Sequence, residues 1–189
     1  DATPVWNDGI ILTLSLSKIG LPGTRTGIVI AREEIISALG SMTSIVGLAN
    51  PNVGQAIVKP LIESGEILSL SDDVVQPFYL AKSRKALGWV EEFFDGRLPY
   101  RVHRSEGAFF LWLWFEDLPI TSRELYERLK ARGVLVVPGN YFFFGVDDPQ
   151  WRHRDECLRV SFTMSDEIVR DGFRIIADEV GKAYQQAVC

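Results

Sequence analysis

The stretch Ser15-Leu16-Ser17-Lys18-Ile19-Gly20-Leu21-Pro22-Gly23-Thr24-Arg25-Thr26-Gly27 lies between two short apolar runs, Ile10 to Leu14 and Ile28 to Ala31. Both runs read as buried strands, the first apolar on both faces as in a parallel sheet covered by helices. The loop between them holds hydroxyls, glycines that permit a tight turn, one lysine and one arginine. An ammonium so close to buried strands is costly to desolvate unless it is paired or neutralised. A lysine in a partly dry pocket can condense with an aldehyde to a Schiff base, and a serine hydroxyl and an arginine fork can hold a phosphate on the same molecule. Taken singly, Lys18 also reads as a surface lysine in a loop, and the serines and Arg25 as local turn bonding and solvent contact.

The spacing Ser-x-Ser-Lys-x-Gly-x-x-Gly-x-Arg-x-Gly resembles the cofactor-lysine segment of the class I/II pyridoxal-phosphate aminotransferases, enzymes of the aspartate-aminotransferase fold (fold type I). The resemblance implies that Lys18 is the Schiff-base lysine and that Ser15 and Arg25 bind the phosphate of pyridoxal 5'-phosphate, with Ser17 structural. Many members have Lys-x-x-Gly-x-x-Gly-x-Arg; here the first gap is one residue shorter. Arg159, in Leu158-Arg159-Val160-Ser161-Phe162, reads on its own as an edge residue or a buried anion binder. The segment resembles the family's late strand, whose arginine grips the substrate α-carboxylate bidentately.

Two further segments carry the resemblance. Glu106-Gly107-Ala108-Phe109 is similar to the family's entry strand, where a glycine admits the substrate; a turn into a core strand explains it as well. Val137-Pro138-Gly139-Asn140-Tyr141-Phe142-Phe143 is similar to the loop that closes over the substrate side chain, with packing at a domain interface as the alternative.

The fold so implied is α/β, the C-terminal half of the aspartate-aminotransferase-like fold: the end of the large cofactor domain (1–70), a long inter-domain helix (71–97) and the small domain (98–189). Glu106 to Phe115, Asp117 to Thr121 and Leu125 to Gly139 are similar to members that pass an amino group between valine, or a similar small aliphatic amino acid, and pyruvate, giving 2-oxoisovalerate and alanine. Family members carry about as much again upstream. That half supplies a glycine-rich phosphate turn, an aromatic stacked on the pyridine, an aspartate facing the ring nitrogen and a tyrosine near the ring oxygen. No matching segment precedes Lys18, so the chain is expected to be a fragment with little activity alone. The family also implies homodimers with shared active sites. Two other functions stay open: an aminotransferase-like sensor domain of a transcription regulator, and a pyridoxal-phosphate β-lyase.

The totals agree with a soluble globular protein. The chain has 189 residues, 47% hydrophobic and 24% charged, and a net charge of −5. Lysine and arginine are spread along it, which argues against a nucleic-acid or anionic-membrane partner. Cys157 and Cys189 suggest no disulfide framework, and a cytoplasmic setting is expected. No apolar run reaches spanning length and no leader pattern opens the chain, while Asp1 reads as a cut or processed end. His103 and His153 have no metal-ligand neighbours in sequence and read as surface residues. No metal site, nucleophile elbow, Walker loop or dinucleotide fingerprint is found.

Further along the chain, a helix follows Arg32 with Ile35, Leu39, Met42 and Val46 on one face. Asn50 and Pro51 read as the start of the next, which carries Ala56, Ile57 and Leu61 and is kinked by Pro60. Ser71-Asp72-Asp73 reads as the start of a long helix to Asp95-Gly96. Ala108 to Phe115 is a strand whose tryptophans are expected in the core. Thr121-Ser122-Arg123-Glu124 is a capping box, and Gly133 ends its helix. Val134 to Val137 and Cys157 to Phe162 read as strands, and Ser165 starts a last helix with Ile168, Gly172, Ile175 or Ile176 and Val180 on its face.

Overall fold

A computed structural model describes residues 5–48, 52–146, 148 and 151–188. Asn50, Pro51 and Cys189 lie outside the described residues. The chain forms two compact units, one up to Pro77 and one from Phe78 onward.

The first unit is built around a hairpin. β1 (Leu12–Ser15) and β2 (Gly27–Ile30) pair antiparallel, Leu12 opposite Ile30 and Ser15 opposite Gly27. The expected parallel, two-face-buried strands are therefore corrected: Leu14, Val29 and Ile30 are exposed. A short return between adjacent runs allows only antiparallel pairing, because parallel strands need a longer crossover. The helix α1 (Glu33–Val46) forms as expected, with Ile35 and Leu39 half-buried but Met42 and Val46 exposed.

The core of this unit lies beneath the lysine loop. Leu16, Val58 and Ile67 are buried together, with Ile19, Leu21, Ile28 and Leu61 against them. α2 (Asn52–Ser64) continues through Pro60 and turns Gly54, Val58 and Leu61 inward. Ile57, placed on the core face by the sequence, is exposed, because Gly54 and Val58 set the inward face at helical spacing. Gly54 decides how closely α2 approaches: a Cβ there would lie 1.9 Å from the Thr24 carbonyl oxygen.

The long helix begins earlier than Ser71. Gly65, left-handed at φ 79°, starts α3 (Glu66–Ser69). A π-helical turn (Leu70–Val75) then leads into α4 (Gln76–Phe94). Gln76 N–H donates to Ser71 O across that turn. Pro77 next to it has no N–H to give a regular i→i−4 bond. Val75 on the π turn packs on the lysine loop, where a Cβ at Gly20 would meet its Cγ2 at 2.6 Å.

The second unit is a four-stranded antiparallel sheet in the order β3-β4-β6-β5, with helices α4, α5 and α6. β3 (Tyr100–Val102), not foreseen from sequence, pairs with β4 (Phe110–Phe115). β6 (Cys157–Ser161) lies on the other side of β4, Trp112 opposite Arg159. β5 is only Val137–Pro138, shorter than expected, with Val137 opposite Arg159; Pro138 at the sheet edge has no N–H for further pairing.

Alternation decides the two faces of this sheet. Leu111, Leu113 and Phe115 are buried, packed with Phe94, Leu125, Leu129, Leu158, Phe173 and Ile176. Trp112 and Trp114 point to the opposite face, so the expectation of a tryptophan core is corrected. In α6 (Asp166–Val188) the inward positions are Val169, Phe173, Ile176 and Val180, whereas Ile168 is exposed. α5 (Ser122–Ala131) has its foreseen cap: Thr121 Oγ1 accepts from Glu124 N–H at 3.2 Å.

α6 is tied to α4 at its first turn. Lys85 Nζ donates to Asp166 Oδ2 at 2.5 Å, and Lys82 Nζ reaches Oδ1 at 3.4 Å and Met164 O at 2.5 Å. The Lys85 hydrogen bond, with Lys82 adding to it, holds the Asp166 carboxyl below its usual range. A carboxyl depressed in the folded state stabilises above its unfolded pKa, about 3.9, and that contribution is lost as pH falls through the folded value. Asp166→Asn is therefore expected to lower the urea midpoint at pH 7, with the gap to wild type closing at more acid pH. A gap that stays constant down to pH about 2 contradicts the pairing.

Gly54→Ala adds helix propensity of up to about 1 kcal/mol. The clash is with backbone, so no rotamer relieves it, and overpacking of roughly 1–3 kcal/mol should win. The expected result is a lower melting temperature, with amide shifts concentrated in residues 22–26 around the contacted Thr24 carbonyl. A variant that melts at or above wild type refutes the close contact.

Candidate functional site

Ser15 ends β1, Lys18 lies on the first 3-10 turn after it, and Arg25 caps the second, all in the hairpin connection of the first unit. Leu16–Ile19 is one turn of 3-10 helix, where residues three apart share a face. Leu16 and Ile19 take the inward face, and Lys18 between them is exposed. The dry pocket expected around Lys18 is thus not built by this loop alone. The apolar residues on its inward side hold the turn, and the lysine faces away from them.

Ser15 caps that turn: its Oγ accepts from Ser17 N–H at 3.3 Å, which leaves the hydroxyl proton free to donate elsewhere. The second 3-10 turn, Pro22–Thr24, is fixed from inside by Thr24 Oγ1 donating to Leu21 O at 2.8 Å. Thr26 Oγ1 donates to Thr24 O at 2.9 Å, the same carbonyl that Gly54 faces. Arg25 follows in the left-handed region, φ 48° and ψ 38°, at a cost of about 1 kcal/mol for a residue with a Cβ. It is exposed, and among the described residues no carboxylate pairs with it. Gly54, Gly20 and Val75 hold this loop and were not singled out from sequence. The only sign was a glycine inside a helical pattern, which marks close packing when it is not a mistake of assignment.

The residues fit a phosphate-bearing aldehyde. They offer an exposed primary amine, a guanidinium that no described carboxylate pairs with, and a hydroxyl with its proton to give. Arg25 carries that fit, as a strained, exposed cation with which no described carboxylate pairs. Among the described residues no cluster of His, Cys, Asp or Glu suits a metal ion.

Arg159 lies in the second unit, at the centre of β6 and half-buried. Its guanidinium carbon is 4.4 Å from the Phe110 ring centroid and 4.7 Å from that of Phe142. Its Nε is buried without a hydrogen-bond partner, and among the described residues no carboxylate pairs with it. A cation with an unmet buried donor is suited to an in-plane anion such as a carboxylate.

The tryptophan face of the sheet surrounds this arginine. Trp112 makes edge contacts with Phe142 at 5.2 Å and Phe143 at 5.9 Å. Trp114 Nε1 donates to the buried Glu156 Oε2 at 2.9 Å. His153, expected on the surface, is half-buried among Trp114, Phe143 and Trp151, because the 3-10 turn Arg152–Asp155 carries it onto the aromatic face. Its neighbour Cys157 is buried, and burial pushes its thiol up to about 12, so it is inert as a nucleophile. Gly139 lets its own 3-10 turn, Gly139–Phe142, approach β6, since a Cβ there would lie 2.6 Å from Cys157 Cβ. At the turn before β4 the left-handed residue is Ala108, φ 63°, and a Cβ on Gly107 would meet nothing within 4 Å.

Among the described residues no helix is long and apolar enough to cross a membrane. The sequence matches the family model described as "Aminotransferase class I and II" over residues 3–176. It is 43% identical to a valine–pyruvate aminotransferase of Escherichia coli over 99% of this chain and 44% of the relative. Among solved structures, a putative amino-acid aminotransferase from Psychrobacter arcticum superposes with a TM-score of 0.90 at 44% identity, over 98% of this chain and 42% of the other. The valine–pyruvate aminotransferase of Salmonella typhimurium gives 0.89 at 43% identity, over 98% and 47%. The chain thus spans less than half the length of the proteins it matches. The chain belongs to the class I and II aminotransferases, on the pyridoxal-phosphate fold of type I.

Proposed function

We propose that the protein carrying this chain is a pyridoxal 5'-phosphate-dependent aminotransferase that passes an amino group between valine, or a similar small aliphatic amino acid, and pyruvate, giving 2-oxoisovalerate and alanine. The observation that carries the reading is the placement of Ser15, Lys18 and Arg25 on one exposed loop whose backbone is pinned by Gly54. The choice of valine and pyruvate rests on the likeness to the Escherichia coli and Salmonella enzymes.

When bound, the cofactor supplies an electron sink that acidifies the amino acid's Cα–H. Lys18 Nζ would hold the cofactor, and its amine would serve as the base that takes the proton from the substrate Cα. Ser15 Oγ, already accepting from Ser17 N–H, would donate a hydrogen bond to the cofactor phosphate. Arg25 sets its fork against the same phosphate, charge on charge. Arg159 takes the α-carboxylate of the amino acid or the 2-oxo acid in the plane of its guanidinium. Apolar contacts choose among aliphatic side chains, so discrimination between valine and its neighbours is modest.

The remaining walls of the pocket, by this reading, come from polypeptide outside this chain. The exposed apolar residues of the hairpin and α1 support it. We place the whole enzyme in the cytoplasm as a homodimer serving amino-acid biosynthesis, with this chain alone weakly active or inactive.

The test is a two-substrate assay of the intact enzyme, following alanine and 2-oxoisovalerate formed from pyruvate and valine. Equal amounts of both products are expected, and Lys18→Ala should reduce the rate at least about a thousandfold. Arg159→Lys should raise KM for valine and for pyruvate with little loss of cofactor, since a bidentate fork becomes a point charge. Pyruvate released from an amino acid without any alanine formed would refute the transfer.

A further inference from the structure

We infer that Phe142 is a positioning residue: its ring, with that of Phe110, fixes the plane of the Arg159 guanidinium so that only the edge of the fork meets the substrate carboxylate. The inference rests on the reading of Arg159 given above and deepens it.

The geometry carries it in three steps. First, the guanidinium carbon of Arg159 lies 4.4 Å from the Phe110 ring centroid and 4.7 Å from that of Phe142, both within cation–π range. A guanidinium that lies flat on such a ring keeps its N–H donors, which all point outward in its plane, clear of the ring. Second, those donors are not otherwise engaged. Nε is buried and unpartnered, and no described carboxylate competes. An arginine held by salt bridges would have spent its donors on keeping its orientation; one held by aromatic faces keeps them for a ligand. Third, the rings are themselves held from different elements. Phe110 is on β4, on the same face as Trp112 two residues on. Phe142 ends the 3-10 turn Gly139–Phe142 and meets Trp112 edge-on at 5.2 Å. Trp112 sits opposite Arg159 in the strand register, so one residue braces both the arginine's strand and the ring that covers it.

This gives the aromatic loop a part in binding through the arginine. Rotation about the Arg159 side chain would lift its charge off the rings, so the stack resists it. The carboxylate then meets a fork already in its bidentate orientation, and less ordering is left for binding.

The test is steady-state kinetics of the intact enzyme with Phe142 changed to Ala, Leu and Tyr, and with Arg159→Lys alongside. Phe142→Ala is expected to raise KM for both the amino acid and the 2-oxo acid about tenfold, because both carry the carboxylate. kcat should stay within about twofold and cofactor affinity should be unchanged. Phe142→Leu keeps an apolar side chain without a π face and should behave like the alanine variant. Phe142→Tyr keeps the face and should recover most of the affinity. If Leu restores KM as well as Tyr does, the ring only packs and the inference is overturned. If Arg159→Lys raises KM while Phe142→Ala leaves it unchanged, the stack is overturned and the role of Arg159 stands. If neither changes KM, both fall.

Discussion

Helix α2 can reach the Thr24 carbonyl only because residue 54 has no Cβ. On that contact the first unit depends. It pins the turn that leaves Arg25 in the left-handed region, while Val75 on the π turn presses on Gly20 at the other end of the same loop. Leu16 and Ile19 anchor the loop from below, in one small core with Val58 and Ile67. The lysine therefore stands on a rigid base. Its exposure follows from the same geometry, since the 3-10 turn that buries Leu16 and Ile19 must turn Lys18 outward.

The second unit solves a different problem with one sheet. The period of two gives β4 a leucine face for the core and a half-buried tryptophan face opposite it. The core face is closed by Phe94, Phe173 and the leucines of α5, so Arg159 on the neighbouring strand rests on fully packed structure. The other face gathers Phe110, Trp112, Phe142 and Phe143 around it. A charged group in such surroundings is expensive unless its faces lie on aromatic rings and its edge meets an anion.

What was legible in the sequence was local chemistry. The capping box at Thr121 and the apolar alternation of β4 announce themselves within a few residues and are found, and the lysine segment is, as read, a loop between two strands. The family resemblance was legible for the same reason, since it is carried by short spacings. What failed depended on distant partners. Period two marks two faces of β4 but not which is covered, and it is the leucine face, not the tryptophan face, that the helices cover. The start of the long helix was missed because the acids at Asp72 and Asp73 look like a first turn, whereas the chain enters it at Gly65 and passes Pro77 by a π turn. β3 was missed because Tyr-Arg-Val is too short to read without its pairing to β4. His153 gave no sign of its aromatic surroundings, which are assembled from residues 39 and 10 positions away as well as close by.

The account turns on one amine. The most direct measurement mixes the protein with pyridoxal phosphate, reduces with borohydride and maps the modified peptide. The account predicts a single label, on Lys18, lost in Lys18→Arg while the remaining lysines stay unlabelled. Label spread evenly over Lys59, Lys82, Lys85, Lys130 and Lys182 would contradict it.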